Sequence, residues 1–138
     1  TKLSQVHLEQ AYYKYPTELS GGMKKRVALA RAIVSDPDLL FCDEPSAGLD
    51  PLTSKSLDNL LLELKETLNL SIIIVTHELD SIRAICDKLT FLSGGLVLYD
   101  GALETAINEG PQEVRHFFSR TTAPEQSQQK FISFNLED

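Results

Sequence analysis

Two adjacent carboxylates, Asp43 and Glu44, follow directly after the apolar run 39–42 and precede Pro45. A short continuous apolar run of this kind predicts a strand buried on both faces, with its acidic residues at the carboxyl end. Ligands of open α/β sheets bind at that edge. Asp43 is the candidate ligand of a magnesium ion. Glu44 is the candidate group that orients or deprotonates an attacking water, a role that typically contributes ~10²–10⁴ in rate. The alternative interpretation is a polar turn after a strand.

A histidine occupies a comparable position later in the chain. His77 follows the β-branched run 71–76, which predicts a second buried strand, so its ring is expected at the same edge of the sheet. There it can hydrogen-bond a γ-phosphate and the attacking water. His7 and His116 have no comparable setting, and we assign both to the surface or to packing.

Ser20, Gly21 and Gly22 precede apolar residues at helical spacing, so Ser20 is the expected N-cap of an amphipathic helix that Pro37 ends. Glycines at a helix start let backbone amides approach a ligand, and the helix dipole favours an anion such as a γ-phosphate. A helix cap without any ligand is the alternative interpretation.

The chain contains no Gly-x-x-x-x-Gly-Lys-Ser/Thr loop. Such a loop supplies the backbone amides and the lysine that hold the β- and γ-phosphates of ATP. The sequence therefore carries residues suited to hydrolysis without its own phosphate cradle. With threonine at position 1, we expect it to be the C-terminal portion of a longer protein.

The predicted order of elements is strand, helix, strand, helix, which indicates a parallel sheet. Leucines at helical spacing predict a helix over 57–68 that Asn69 ends, and Glu78 and Asp80 suit the first turn of the next helix. The segment Ser93-Gly94-Gly95 between two apolar runs predicts a hairpin. Short helices are expected around 102–108 and 112–118. The polar segment 121–130 is expected to be a flexible tail, followed by apolar residues that could dock on a partner.

Composition excludes several classes of function. The 138 residues carry a formal net charge of -7, which argues against binding to nucleic-acid phosphates, and the cluster Lys24–Arg26 is expected to be a solvated helix face. Two cysteines make no disulfide framework and fit a reducing cytosol. The longest apolar runs are too short to cross a bilayer, so any role at a membrane requires a partner.

Taken together, Ser20-Gly21-Gly22, Asp43-Glu44, Asp50 and His77 resemble the signature motif, Walker B motif, D-loop and switch histidine of ABC ATPases. The resemblance runs from about Tyr15 to Phe118. Met23, where the family usually has glutamine, and the segment 111–118 are similar to the ATPases of Mla and Mce lipid transport systems.

The resemblance implies a P-loop NTPase fold, α/β with a mostly parallel sheet flanked by helices, from which the Walker A half is absent. It implies ATP and Mg²⁺ as cofactors. Ser20, Gly21 and Gly22 would contact ATP held by a second subunit, Asp50 would serve communication across that head-to-tail homodimer, and Asp43 would serve magnesium. Glu44 would polarise water, and His77 would contact the γ-phosphate.

The same resemblance predicts the partners, the location and the domains. The partners are a second nucleotide-binding subunit and a membrane permease, and the protein would lie on the cytoplasmic face of the inner membrane. The expected parts are the end of a helical subdomain (1–35), a catalytic core (36–110), a C-terminal helix (111–120) and the tail (121–138).

The leading interpretation is an ATPase subunit that drives lipid transport. One alternative is a DNA-maintenance ATPase of the SMC or Rad type, against which His77 and the acidic balance count. Another is a non-catalytic dimerisation fragment.

Overall fold

The computed structural model describes residues 1–120 and, as a backbone strand, residues 131–134. The helices are α1 (Lys2–Gln5), α2 (Gly21–Ala32), α3 (Pro51–Leu68), α4 (Leu79–Ile85), α5 (Leu103–Glu109) and α6 (Gln112–Ser119). The strands are β1 (Leu39–Asp43), β2 (Ser71–Thr76), β3 (Lys88–Ser93), β4 (Leu96–Ala102) and β5 (Phe131–Phe134). Short 3₁₀ turns span Glu9–Ala11 and Pro16–Glu18. The predicted flexible segment 121–130 lies outside the described residues.

The chain divides into two compact units. The first comprises Thr1–Leu40 and Pro45–Ser71, and the second comprises Phe41–Glu44 and Ile72–Asp138. The division passes through β1 and again through the start of β2. Each unit has buried apolar residues of its own, which are leucine-rich in the first and isoleucine- and phenylalanine-rich in the second.

Helix α2 of the first unit begins as the sequence predicts. The Met23 N–H donates to Oγ of Ser20 at 3.3 Å, which makes Ser20 the N-cap. The helix ends at Ala32, before Pro37 is reached, so proline is not the residue that stops it. The turn that follows places Asp36 in the left-handed region at φ +48°.

Arg26 departs from the solvated face expected for the basic cluster. Its guanidinium donates to the Val6 carbonyl at 2.9 Å and to Oγ of Ser56 at 2.8 Å. These bonds connect α2 to the segment after α1 and to α3 within the first unit. Arg26 therefore has a structural role, which the run of basic residues 24–26 in the sequence did not indicate.

Helix α3 buries the predicted apolar stripe and ends where the sequence indicates. Leu57, Leu60, Leu61 and Leu64 are buried, and Asn69 closes the helix in the left-handed conformation at φ +51°. Asparagine tolerates this conformation because its short polar side chain can hydrogen-bond locally.

The sheet has the order β1-β2-β5-β3-β4. β5 is antiparallel to both β2 and β3, so β2 and β3 run in the same direction. β1 runs with them, because the Ser71 N–H donates to the Asp38 carbonyl at one end and the Glu44 N–H donates to the Val75 carbonyl at the other. The predicted parallel arrangement of β1 and β2 is confirmed, and β3 and β4 form the predicted antiparallel hairpin. The insertion of β5 was not predicted.

The burial of β1 differs from the expectation that both of its faces are buried. Leu40 and Cys42 are buried, whereas Phe41 is 68% exposed and Leu39 is also exposed. β1 lies at the edge of the sheet, and the described residues leave one of its faces uncovered, so it alternates instead of being buried on both faces. β2 meets the expectation, since Ile72, Ile73 and Ile74 are all buried.

The predicted hairpin and the two short helices are present in the second unit. Gly94 and Gly95 connect β3 to β4 with φ values of +57° and +78°, as a type I′ turn requires. Phe91 of β3 is fully buried, and its ring meets that of Phe117 of α6 edge to face at 5.7 Å. Arg83 of α4 donates to the Phe118 carbonyl at 2.8 Å. No helix within the described residues is long and apolar enough to span a bilayer.

Candidate active site

The carboxylate of Glu44 and the ring of His77 lie in contact. Nδ1 of His77 is 2.8 Å from Oε1 of Glu44. Glu44 follows the end of β1 and His77 follows the end of β2. Because these two strands are parallel, both residues lie at the carboxyl ends of the strands, on the same side of the sheet. The Glu44 side chain is 19% exposed and that of His77 is 57% exposed. The predicted proximity of these two residues is confirmed within the second unit.

The backbone of Glu44 adopts a conformation that a glutamate rarely takes. Its φ is +47°, in the left-handed region. Its N–H donates to the Val75 carbonyl at 2.8 Å, which holds the residue against β2. Such strain costs of order 1–3 kcal/mol and concentrates at functional sites, because only surroundings that fix the residue can maintain it.

Thr76 is a residue of this site that the sequence reasoning missed. It is buried, its Oγ1 donates to Oε2 of Glu44 at 3.2 Å, and the same oxygen accepts the Glu78 N–H at 3.1 Å. Thr76 and His77 thus hold one carboxylate oxygen each. The available sequence signal was a hydroxyl residue directly before the histidine at a strand end.

These contacts fix the arrangement of protons in the ionised state of Glu44. An ionised carboxylate only accepts hydrogen bonds, so the Glu44 contact requires the proton on Nδ1 of His77. Nε2 then accepts a hydrogen bond when the ring is neutral and donates one when the ring is charged. The pair therefore presents a carboxylate able to accept a proton from water beside a ring nitrogen that can hydrogen-bond a second group.

Asp43 is the last residue of β1, directly before Glu44, and it is exposed. Within residues 1–120 no group of three or more His, Cys, Asp or Glu side chains is placed to hold a metal ion. Magnesium bound to a nucleotide needs only one or two carboxylates, since waters and phosphates complete its octahedral shell. A single exposed carboxylate is compatible with that form of binding.

The second unit contains two cysteines, Cys42 of β1 and Cys86 after α4. Both are buried, and they form no disulfide bond. Burial raises the pKa of the Cys42 thiol to about 11, so at neutral pH this group is an unreactive apolar side chain.

The Ser20-Gly21-Gly22 turn lies in the first unit, beside the start of α3. A Cβ added to Gly22 would come within 2.6 Å of Cγ2 of Thr53, and one added to Gly21 would lie 3.6 Å from Leu49. Gly22 is therefore required for the close approach of α2 to α3, whether or not an anion binds there. Ser20 and Gly21 are exposed at the helix N-terminus, where free amides and the helix dipole favour an anion.

Asp50 is the N-cap of α3, a role that its position before Pro51 could have indicated. Its carboxylate accepts the Leu52 and Thr53 N–H groups at 3.1 and 3.0 Å and the Thr53 hydroxyl at 2.5 Å. These bonds, that of the Thr53 side chain foremost, hold the pKa of Asp50 below its usual range. The Ser20 turn at the start of α2 and Asp50 at the start of α3 are therefore neighbours within the first unit.

The two remaining histidines lie elsewhere, as expected. His7 is exposed, and its Nε2 lies 3.0 Å from a carboxylate oxygen of Glu63. His116 is exposed on α6, and its carbonyl accepts the Ser119 hydroxyl.

The chain is similar to known ABC transporter proteins. The profile of the family described as ABC transporter matches residues 1–47. A methionine import ATP-binding protein of Vibrio cholerae is 41% identical over 120 residues, which are 87% of this chain and 35% of that protein. A methionine import ATP-binding protein of Staphylococcus haemolyticus is 47% identical over 98 residues, which are 71% of this chain and 28% of that protein. The chain thus spans about a third of the length of these relatives.

Solved structures show the same fold. A structure of cbiO1 from Clostridium perfringens, part of an ABC transporter complex, has a TM-score of 0.73 and 36% identity, and the match covers 78% of this chain and 43% of that one. An ATP-binding cassette of an ABC transporter in its ADP conformation has a TM-score of 0.73 and 28% identity, covering 85% and 46%. The fold class expected from the sequence is confirmed, and the recognition of the chain as part of an ABC transporter ATP-binding subunit is supported.

Proposed function

We propose that residues 1–138 form the part of an ABC transporter ATP-binding subunit that activates water for ATP hydrolysis. The contact between Glu44 and His77 at the carboxyl ends of β1 and β2 carries this proposal. The left-handed backbone of Glu44 adds support, because strained backbone conformations concentrate at functional sites. Both oxygens of its carboxylate are also held by hydrogen bonds, which suits a group that must orient a water molecule.

Each residue has a defined part in the proposed reaction. Glu44 orients the attacking water and accepts its proton, Thr76 and His77 hold the Glu44 carboxylate, and Nε2 of His77 faces the γ-phosphate. Asp43 serves the magnesium ion. When bound, ATP and Mg²⁺ supply the phosphoryl group and neutralise its developing charge. The β- and γ-phosphates require a cradle that these 138 residues do not contain.

The second part of the proposal concerns the first unit. Ser20, Gly21 and Gly22 present a helix N-terminus, which we propose closes over ATP held by a second subunit of a head-to-tail homodimer. Asp50, at the adjacent start of α3, would transmit the state of one site to the other. The exposure of Ser20 and Gly21 supports this role, because a contact across a dimer requires accessible amides.

We infer the transported molecule from the names of the relatives and not from the sequence interpretation. The two relatives reported above carry names for methionine import, and nothing among them supports the lipid transport that Met23 and residues 111–118 suggested. We therefore propose import of methionine or a similar amino acid through a membrane permease, with the subunit on the cytoplasmic face of the membrane. The names also favour transport over DNA maintenance.

The test of the water-activating role is Glu44→Gln in the longest gene product that contains these residues. Glutamine keeps the shape and cannot accept the proton, so hydrolysis should fall by ~10²–10⁴ while ATP binding is retained. Glu63→Gln, on the exposed face of α3, is the matched control and should hydrolyse ATP normally. Unchanged turnover in Glu44→Gln would remove Glu44 from this role.

Two further measurements test the need for the missing phosphate-binding loop and the identity of the transported molecule. Residues 1–138 alone should neither hydrolyse ATP nor bind it tightly, and saturable micromolar binding in calorimetry would contradict this. With the permease present, methionine uptake in the parent and its loss in Glu44→Gln would support the cargo, whereas uptake unaffected by that variant would contradict it.

A further inference from the structure

Helix α4 connects the Glu44–His77 pair to the C-terminal helix α6. It begins at Leu79, two residues after His77. Its N-cap residue, Glu78, makes no side-chain capping bond, and the Glu78 backbone N–H donates to Oγ1 of Thr76 at 3.1 Å. The start of α4 is therefore bonded to the residue that holds Oε2 of Glu44.

Arg83, one turn further along α4, contacts the end of α6. Its Nη2 donates to the Phe118 carbonyl at 2.8 Å in a partly buried bond, and its guanidinium carbon lies over the Phe118 ring, 5.9 Å from the ring centre. Carbonyls in the last turn of a helix have no partner within the helix, and a cation beside them is attracted by the helix dipole. The ring face attracts the same cation. Arg83 therefore binds both the backbone and the side chain of Phe118.

Phe118 is a firm anchor for this contact. Its side chain is buried, and its ring meets the Phe117 ring edge to face at 5.3 Å. The Phe117 ring in turn meets that of Phe91, which is fully buried in β3. Close packing of this kind allows little movement. The Arg83 guanidinium is therefore bonded to a residue that the core of the second unit holds in place.

The orientation of α4 depends on its tertiary contacts. A helix of seven residues is too short to be stable by itself. Ile82 and Ile85 are buried, but the burial of apolar surface is non-directional and still allows a helix to rotate or slide. A hydrogen bond has a preferred distance and angle, so the Arg83 bond to Phe118 restricts those movements.

We propose that Arg83 is a positioning residue for the Glu44–His77 pair and acts through α4. By holding α4 against α6, it fixes the backbone that carries Thr76 and His77. Misplacing a catalytic group by about 1 Å can slow a reaction by roughly a hundredfold, so a contact that touches no reacting atom can still set the rate. This inference rests on the proposed ATPase function. It also makes α6, which the sequence placed outside the catalytic core 36–110, a support of the site.

The test is Arg83→Met in the longest gene product that contains these residues. Methionine keeps an apolar side chain but has neither the donor nor the charge. We expect kcat to fall at least about fivefold with an unchanged KM. Arg83→Lys keeps the charge and a donor, and its kcat should lie within about twofold of the parent value. Arg115→Met is the matched control, because Arg115 makes a similar partly buried bond, to the Gly110 carbonyl at 2.9 Å, and should keep the parent kcat.

A double variant distinguishes positioning from a general loss of stability. Thr76→Val already releases the Glu44 carboxylate, so adding Arg83→Met to it should lower kcat by no more than about a further twofold. A fully additive loss would overturn the proposal. The parent kcat in Arg83→Met, or an equal loss of kcat in Arg115→Met, would do the same.

Magnetic resonance of the histidine-labelled protein keeps this inference separate from the proposed function. The ring signals of His77, identified by their loss in His77→Gln, should shift in Arg83→Met and not in Arg115→Met. Shifted signals together with normal hydrolysis in Glu44→Gln would support the positioning of the pair and overturn its catalytic role. Unchanged signals together with lost hydrolysis in Glu44→Gln would overturn only the role of Arg83. If Arg83→Met does not fold, the shorter and neutral Arg83→Gln replaces it, and the same outcomes decide.

Discussion

At the residue scale, Glu44 shows how a carboxylate is fixed in place. Thr76 and His77 hold its two oxygens at 3.2 and 2.8 Å, and the Val75 carbonyl holds its backbone N–H. Thr76 is buried and its hydroxyl also accepts the Glu78 N–H, so it is itself held in one orientation. Thr76 is therefore a positioning residue that acts through Glu44.

The prediction at this scale is that Thr76→Val in the longest gene product slows ATP hydrolysis by roughly tenfold or more, because a hydrogen bond to a charged group is worth ~1.5–3 kcal/mol. Valine keeps the shape of threonine but lacks the hydroxyl. Thr76→Ser, which keeps it, should recover most of the turnover. Steady-state kinetics should show a lower kcat with an unchanged KM. Equal losses in both variants would contradict a positioning role.

At the scale of elements, the first turns of α2 and α3 pack against each other in the first unit. Gly22 lets the two helices approach closely at Thr53, and Asp50 caps α3 through the same threonine. The sequence pattern identifies both helices, but it does not show that their first turns meet.

Gly22→Ala is expected to destabilise the chain by roughly 1–3 kcal/mol, since its Cβ would overlap Cγ2 of Thr53. Thr53→Ser removes that methyl group and keeps the hydroxyl that donates to Asp50. The double variant should therefore recover most of the stability in urea denaturation. If the two changes are simply additive, the contact does not explain why position 22 is glycine.

The α3 cap makes a further prediction, on pH. The pKa of Asp50 is lowered by hydrogen bonds from Thr53, so the ionised carboxylate stabilises the folded state above its unfolded pKa of about 4. That contribution is lost as the pH falls through the lower folded pKa. Asp50→Asn keeps an acceptor for the cap but does not titrate. Between about pH 5 and pH 3, the Tm of the parent should fall more steeply than that of Asp50→Asn. Parallel curves would show that the cap does not depend on charge.

At the scale of the whole molecule, β1 is an edge strand with an exposed apolar face. Phe41 is 68% exposed and Leu39 39% exposed, and unpaired hydrophobic edges favour association. We therefore expect residues 1–138 to self-associate in solution.

Phe41→Lys should reduce the concentration-dependent association measured by sedimentation, because a lysine on an edge strand opposes pairing with another chain. Leu52→Lys is the matched control, since Leu52 is 80% exposed and belongs to a helix, α3, and not to a strand. If both substitutions reduce association equally, the effect is one of net charge and not of the β1 edge.

The sequence predicted most of the elements because their signals are local. Ser20 as a cap, leucines at helical spacing in α3, Asn69 as a stop and the Gly94-Gly95 turn all act within a few residues, and each is present. It misplaced the end of α2 and overestimated the burial of β1. Both of those depend on what a segment packs against, which local pattern does not contain.

The sequence by itself determined which chemical groups are present and in what order: a carboxylate pair and a histidine after two apolar strands, and a Ser-Gly-Gly helix start. Only the tertiary structure decided how they are held. The Glu44–His77 contact joins residues 33 positions apart, Thr76 enters the site through a hydroxyl, and β5 inserts between strands that precede it in the chain. These features arise from pairing and packing between distant segments, whose free energy depends on the whole fold.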